Sequence, residues 1–588
     1  MDFFTLVDKN VRLWLKNIFS LLKTTFIRVL VWLLISIVPY EVLLILMTTK
    51  KGMPVVYAYA VYVSITLIIF YFVVLHFVIK KGKELNWIIK NAAPVLSITT
   101  FERTMDLSTP EPKPEPYTLT LIGDLTRGEK NKYGSIVKIK NPFRGIMIIG
   151  AAGSGKSVFI RQIMWQAAKK NFCGLLYDFK YPELSEELNG MVGKTPIYTM
   201  SFDDPTRSAR VNPLAPRYVP TSAHAREYAI SILANLLPET ATKPDFWSRS
   251  ANDLLTAVIW FFVQEKPHFC TLPHVISFIQ QDEKELIKYV SSNSECRGLL
   301  ASLEIAMRNQ SNNQIAGVVS TLQSALAQLD NPQLFWALSA DEAPLDMNDP
   351  KRLSWLSIGN NPALSNAYAP AISLIFTVAL KMMNQRNKHH SICILDEAPT
   401  LYIPGVDRIP ATARSNKLAF VYCAQDLAQI EKTYGKGNAD VITANLNNQF
   451  YGRVSHPRTA EHVSKMFGRD DFEYKSTSNN SSQNSGNSNS EGYSGDNTSQ
   501  NYGSNSGSSL GKSESISFRE RDRVRPQEIL SFPVGRFASF LVESNFTDEI
   551  IDYYNFYSLA TPLEIKREMP DLKANYNMIK QQIQDLFI

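Results

Sequence analysis

The chain has 588 residues, and its 61 Lys plus Arg exceed its 55 Asp plus Glu to leave a net charge of +6. That length accommodates roughly two to four domains, and so small a positive surplus excludes neither an anionic partner nor a neutral one. Its five cysteines, Cys173, Cys270, Cys296, Cys393 and Cys423, are scattered without a C-x-x-C pair, which argues against a disulfide framework or a zinc site and points to a reducing compartment for the bulk of the chain.

Val29 to Met47 is apolar apart from Pro39 and Glu41, and Val55 to Ile79 is a cleaner run in which only His76 ionises. About 20 apolar residues cross the hydrocarbon core, so the two segments predict a transmembrane hairpin, with Glu41 near one end of its span. The first segment lacks a small-residue cleavage pattern and a second span follows at once, unlike a signal peptide. Lys9, Arg12, Lys16, Lys23 and Arg28 precede the first span and Lys80, Lys81, Lys83 and Lys90 follow the second, whereas the intervening turn holds only Lys50 and Lys51. The excess of positive charge on one side puts both termini in the cytoplasm and leaves a very short external loop. Leu13, Trp14, Ile18 and Phe19 among basic residues suit an amphipathic stretch on the inner face. Residues 1–107 form this membrane region.

The segment 108–116, within STPEPKPEPY, is a stiff polyproline-type spacer. Tyr117 to Ile139 alternates apolar and polar residues between glycines and predicts short strands. Ile146 to Ile149 then reads as a buried strand and leads into GAAGSGKS, which fits G-x-x-x-x-G-K-[ST]. In such a loop glycines let backbone N–H groups close on phosphates, Lys156 reaches the outer phosphates and Ser157 offers a hydroxyl to Mg²⁺. Gly150, Ala151, Ala152, Gly153, Ser154, Gly155, Lys156, Ser157 and Val158 are the candidate nucleotide contacts. Val158, Ile160, Ile163, Met164 and Ala167 give the following helix a packing face. CGLLYDFKYPEL supplies a buried strand ending at Asp178, and strand–helix–strand order implies a parallel α/β sheet.

Ala223–Leu237, Phe246–Gln264, Leu272–Val290 and Ile315–Leu329 have helical periodicity. They predict an all-α insertion over 220–345, dividing an α/β nucleotide domain into 117–219 and 346–560. LSWLSIGNN returns the chain to the sheet, and ICILDEAPTLYIP brings a strand to Asp396–Glu397. There Asp396 would hold Mg²⁺ through water, and Glu397 would polarise the attacking water. About 240 residues separate Lys156 from Asp396, far more than a minimal P-loop core needs. Lys417 to Ala424 forms another strand, which delivers Gln425 to the carboxyl edge where ligands of open parallel sheets bind. Gln425 can sense the γ-phosphate or position water. NNQFYGRVSHPRTAEHVSKMFG adds a strand carrying Arg453 and a helix, RPQEILSFPVGRFASFLVE a closing strand, and 561–588 a polar helical tail. Residues 476–512, almost wholly Ser, Asn, Gly and Gln, are expected to be a disordered loop.

In order, GAAGSGKS, YDFKYPEL, LDEAPTL, CAQDLAQIEKTYG, HPRTAEHVSKMFG and RPQEI resemble the type IV coupling proteins of conjugation and type IV secretion, the TraD/TraG group. These belong to the FtsK/HerA-like P-loop motors, whose nucleotide domain is RecA-like. The resemblance spans most of the cytoplasmic chain and matches the N-terminal spans only in kind. It implies an ATPase using ATP and Mg²⁺, anchored as a multi-pass protein in the bacterial inner membrane and assembled as a homohexamer. Its partners would be relaxosome proteins, DNA gripped without regard to sequence, and the components of a secretion channel. By the same resemblance Gly150 to Ser157 is Walker A, Ser157 and Asp396 hold the metal, Glu397 completes Walker B and Gln425 is the sensor. Arg414, in TARSNKLAF, falls where related motors place a basic residue reaching the neighbouring subunit's nucleotide, and is either that arginine finger or an exposed helix-end residue. Arg453 is a weaker candidate for the same role. The short external loop and the Ser/Asn-rich segment depart from the family pattern.

Three further readings stay open. The same machine can serve protein effectors through the insertion and tail. A chromosome pump of the FtsK kind would call for a DNA-reading winged helix, for which the segment after Pro526 has no room. A scaffold that binds ATP without turnover would not need Glu397. The histidines show no ligand spacing with carboxylates, so no metal beyond Mg²⁺ is expected.

Overall fold

The computed structural model describes residues 115–588, apart from 116, 127–134, 239–244, 310, 495–496, 545–547, 555–559 and 565–566. The two apolar spans, the basic segments flanking them and most of the proline-rich spacer lie outside the described residues.

In chain order the strands are β1 (Leu119–Leu125), β2 (Ser135–Ile139), β3 (Ile146–Ile149), β4 (Cys173–Asp178), β5 (Ile197–Met200), β6 (Trp355–Gly359), β7 (Ser391–Leu395), β8 (Leu418–Ala424), β9 (Asn448–Tyr451), β10 (Arg469–Ser494), β11 (Asn497–Asp522), β12 (Arg536–Phe540) and β13 (Asp548–Tyr553). All but β10 and β11 form one sheet of order β2-β1-β13-β12-β9-β3-β8-β7-β4-β6-β5. From β9 to β5 every neighbouring pair is parallel. From β9 out to β2 the pairs are antiparallel. The parallel strands IMII, CGLLYD, SICIL and LAFVYCA are buried at every position. Strands covered on both faces have no polar face to show, so a continuous apolar run encodes them.

α1 (Lys156–Lys169) follows β3 and α2 (Glu183–Met191) follows β4. Between β5 and β6 only helices occur among the described residues. They are α3 (Ser222–Leu236), α4 (Phe246–Glu265), α5 (Leu272–Ile279), α6 (Glu283–Val290), α7 (Ser294–Leu299), α8 (Ala301–Arg308), α9 (Asn312–Ala327) and α10 (Pro332–Ala337). The periodicity of Leu272–Val290 suggests one helix, but the chain breaks it after Ile279. Asp282 then accepts hydrogen bonds from the N–H groups of Lys284 and Glu285 and caps a second helix. Buried residues of this helical stretch, such as Tyr228, Leu254 and Val258, belong to one apolar cluster with Met147, Ile149 and Tyr177 of the sheet.

α11 (Ser365–Met383) precedes β7, and α12 (Ile409–Ala413) precedes β8. α13 (Leu427–Tyr434), α14 (Lys436–Asn445), α15 (Pro457–Phe467), α16 (Pro526–Leu530) and α17 (Leu572–Gln584) complete the set. Residues 362–383 are long and apolar enough to cross a membrane, yet from Tyr368 to Leu380 the helix is buried inside the protein against α3. α17 docks on the helical stretch. Ile579 and Ile583 are fully buried, Phe587 packs on Phe278 and Tyr289, and Lys580 Nζ lies 2.7 Å from Asp330.

The Ser/Asn-rich segment, read from composition as a disordered loop over 476–512, lies within β10 and β11. β10 and β11 pair antiparallel along their whole length, from Arg469↔Asp522 to Ser494↔Asn497. The expectation rested on the lack of apolar residues, which rules out a core. A two-stranded ladder needs no core to satisfy its backbone.

Candidate nucleotide site

The phosphate-type loop leaves β3 between its two parallel neighbours. Gly150 N–H donates to the Ala424 carbonyl at 3.1 Å, and Ala151 N–H to that of Arg453 at 2.7 Å. Gly153 and Gly155 hold φ values of +73° and +100°, a region that costs a side-chain-bearing residue strain. Space imposes a second demand at Gly155, because a Cβ there would stand 2.7 Å from the Gly535 nitrogen. That approach has a purpose, since Gly535 N–H donates to the Ser154 carbonyl at 2.9 Å and ties the β12 turn to the loop. Nothing in the local sequence around Gly535 signals this.

Lys156 opens α1. Its Nζ donates to the Gly150 carbonyl at 2.6 Å and lies 3.7 Å from Glu397 Oε2, with both side chains about nine-tenths buried. Ser157 follows in the first turn of α1. The buried Ser154 hydroxyl has no hydrogen-bond partner among the described residues.

β7 runs beside β4 with Leu395 opposite Tyr177, so Asp396 and Asp178 leave adjacent strand ends. Asp396 N–H donates to the Tyr177 carbonyl at 3.2 Å. Burial, reinforced by the carboxylates of Glu397 and Asp178, pushes the Asp396 carboxyl up to about 7. Burial likewise raises Asp178 to about 6, although its Oδ2 accepts from the Ser185 N–H at 2.9 Å and hydroxyl at 2.7 Å. Asp178 Oδ1 and Glu397 Oε1 are buried without a hydrogen-bond partner among the described residues. Asp396 and Glu397 beside Lys156, with a buried Glu397 oxygen to spare, are ligand types that would suit Mg²⁺ and its bound water. The sequence marks Asp178 only as the end of a strand.

Glu397 has a left-handed backbone at φ +62°. A chain of hydrogen bonds steadies it. Asn360 Nδ2 donates to the Tyr177 hydroxyl at 2.7 Å, that hydroxyl pairs with Thr400 Oγ1 at 2.9 Å, and Thr400 Oγ1 donates to the Glu397 carbonyl at 2.7 Å. Tyr177, Asn360 and Thr400 carry no sequence signal of this, being ordinary polar residues until the sheet brings them together.

Gln425 sits half-buried at the carboxyl end of β8, where Asp426 caps α13 and accepts from the Thr459 hydroxyl at 2.9 Å. The structure does not bring Arg414 to this edge. It is exposed at the end of α12, before the amino end of β8, and a seven-residue strand at about 3.3 Å per residue separates it from Gln425 by roughly 23 Å. Arg453 lies just beyond β9 rather than on it, with its Nη2 3.5 Å from the Ala152 carbonyl of its own chain's loop.

The five cysteines are all buried and free, and no cluster of three metal-ligating side chains occurs among the described residues.

Residues 118–536 match the family described as Type IV secretory system Conjugative DNA transfer. Among solved structures, the chain resembles the bacterial conjugative coupling protein TrwBdeltaN70 in its unbound monoclinic form, at 15% identity and a TM-score of 0.53, over 75% of this chain and 89% of that one. It also resembles the plasmid coupling protein TrwB in complex with the non-hydrolysable ATP analogue ADPNP, at 15% identity and a TM-score of 0.51, over 73% of this chain and 88% of that one. At such identity the likeness speaks for the fold. No curated protein matches the sequence significantly.

Proposed function

Because the chain belongs to the type IV secretory system conjugative DNA transfer family, we propose that it is a coupling ATPase that recruits DNA and its relaxosome to a secretion channel and drives transfer by ATP hydrolysis. The observation that carries this is the meeting of Lys156 with the Asp396–Glu397 pair beyond the carboxyl ends of β3 and β7, the two strands that flank β8, with Lys156 and Glu397 3.7 Å apart. The loop Gly150–Ser157 binds the phosphates through its N–H groups, with Val158 behind it in α1. Lys156 leaves the Gly150 carbonyl for the outer phosphates. Ser157 and Asp396 hold Mg²⁺, which supplies charge neutralisation on the phosphate oxygens. Glu397 orients the attacking water and takes its proton, and Gln425 reads the γ-phosphate.

Arg414 lies too far from its own loop to act there, which supports a role toward a neighbouring subunit in a homohexamer. The N-terminal hairpin at 29–47 and 55–79 anchors the protein in the bacterial inner membrane, with the bulk of the chain cytoplasmic. The stretch 220–345 holds 8 Lys plus Arg and 13 Asp plus Glu, so 8 − 13 = −5, against +6 for the whole chain. An acidic insertion repels phosphate. This supports DNA being gripped by the remainder of the chain, and the insertion facing protein partners.

The test is ATP hydrolysis by the full-length protein in detergent, with and without DNA of unrelated sequences, across a salt series. Stimulation by DNA that fades as salt rises is expected. Turnover indifferent to DNA would sink the DNA reading.

A further inference from the structure

Glu397 is followed by a short 3₁₀ turn, Ala398–Thr400, and a stretch to Ile403 that returns the chain to the core. A glutamate at φ +62° does not keep that conformation unaided, so whatever holds this segment determines where the carboxylate points. On one side α13 holds it. Thr433 Oγ1 donates to the Pro399 carbonyl at 2.8 Å, while the Tyr434 hydroxyl donates to the Leu401 carbonyl and accepts from the Ile403 N–H, both at 3.0 Å.

On the other side stands Asn235, in the last turn of α3, at the start of the helical stretch. Its Nδ2 donates to the Tyr402 carbonyl at 2.8 Å and its Oδ1 accepts from the Tyr402 N–H at 3.1 Å. The amide thereby pairs with Tyr402 as a neighbouring strand would. The rest of the side chain is also engaged. Nδ2 donates to the Ser231 carbonyl at 2.8 Å, and Oδ1 accepts from the Ser373 hydroxyl of α11 at 3.1 Å. An asparagine offers two donors and two acceptor sites, and here all are taken. Reversing the amide would set donor against donor at Tyr402 N–H and acceptor against acceptor at both carbonyls.

We infer that Asn235 is a positioning residue for hydrolysis, through which the helical stretch holds the Glu397 segment in its reactive arrangement. The inference rests on the ATPase reading. Asn235 touches neither nucleotide nor metal ligand; it acts through Tyr402. Because α3 packs on α4 and α11, a partner that shifts the helical stretch moves Tyr402, and Glu397 with it.

Asn235→Asp keeps the shape and removes both donors. In full-length protein, ATP turnover is measured beside the Kd for a fluorescent ATP analogue and the melting temperature. The expected result is at least a tenfold fall in kcat, with the Kd unchanged within twofold. An unchanged kcat, or turnover and nucleotide affinity falling together, overturns the inference. Asn235→Ala, which removes the clamp without adding a charge, is read the same way if the aspartate variant does not fold. Wild type measured alongside separates the two ideas. Absence of turnover there overturns the ATPase reading, whereas an active wild type with an equally active variant overturns only the clamp.

Discussion

Two loops at the carboxyl edge of the same parallel sheet make the candidate site, and they are held differently, one by backbone bonds and the other largely by side chains. The phosphate loop combines bonds of its own with backbone bonds to Ala424, Arg453 and Gly535. Lys156 bonds back to Gly150, Ser154 N–H to Ala151, and two glycines supply the left-handed turns. The Glu397 loop is held by others, with Tyr177 from β4, Asn235 from α3 and Tyr434 from α13 converging on it from far along the chain. A loop held from outside can be switched by whatever moves its holders.

The comparison predicts where damage falls. Glu397→Gln should cause the largest loss, about 10²–10⁴-fold in turnover, with nucleotide binding intact. Normal turnover by the variant would remove Glu397 as the base. Gly155→Ala should come next, because the new methyl meets both a forbidden φ and the Gly535 backbone at 2.7 Å. At least about tenfold weaker nucleotide binding is expected from so strained a loop. Gly405→Ala is the control, since its φ of +71° is similar but open space surrounds it. That change should cost about 1–2 kcal/mol in stability and nothing in nucleotide affinity. Equal behaviour of the two variants would mean that the loop's seat on Gly535 does not matter. Tyr177→Phe, which breaks the Asn360–Tyr177–Thr400 chain, should lower stability by about 1 kcal/mol and slow turnover without changing nucleotide affinity. Denaturant unfolding and steady-state kinetics measure the two effects.

These rankings explain what was legible in the sequence. Gly150–Ser157 announces itself because its spacing and its geometry are the same local fact. Strands β4, β7 and β8 were legible because burial on both faces leaves only apolar residues, and α4 because its period runs unbroken for 20 residues. The pair Asp396–Glu397 was legible as chemistry but not as geometry. Its clamps are two tyrosines, two threonines and two asparagines, and nothing marks such residues until the fold supplies their partners. Arg414 and Arg453 show the same limit, since only the strand directions reveal that one is remote from its own loop and the other beside it. β13 escaped notice because DEIIDY is short and half polar, as an antiparallel strand with one wet face should be.

A smaller effect is expected where the C-terminal segment meets the helical stretch. Burial works to raise the Glu342 carboxyl, but hydrogen bonds from Arg567 at 2.7 Å and from Arg210 outweigh it and hold the group at about 2. A carboxylate depressed in the folded state lends stability that is complete above its unfolded value, near 4.5, and is lost as pH falls toward 2. Melting temperature should therefore fall less steeply over that acid range in Glu342→Gln than in wild type. Parallel curves would show that the Arg567 contact carries no pH-dependent stability.

The smallest effect should come from the largest deletion. The backbone of residues 476–512 pairs within the β10–β11 ribbon. Removing them leaves the ribbon's root, where Arg469 meets Asp522 at 3.0 Å and Arg523 meets Asp548 at 2.8 Å. A two-stranded ribbon without a core is marginal by itself and lends little to the body that carries it. Melting temperature should shift by no more than about 2 °C, and ATP turnover should be unchanged. The far-ultraviolet circular dichroism difference between the two proteins then reads the excised segment directly. A β-type difference spectrum is expected from the paired strands, and a coil-type one would return the segment to the disorder that its composition suggests. Loss of turnover on deletion would place the ribbon with the Glu397 loop, among the parts that act on the site from outside.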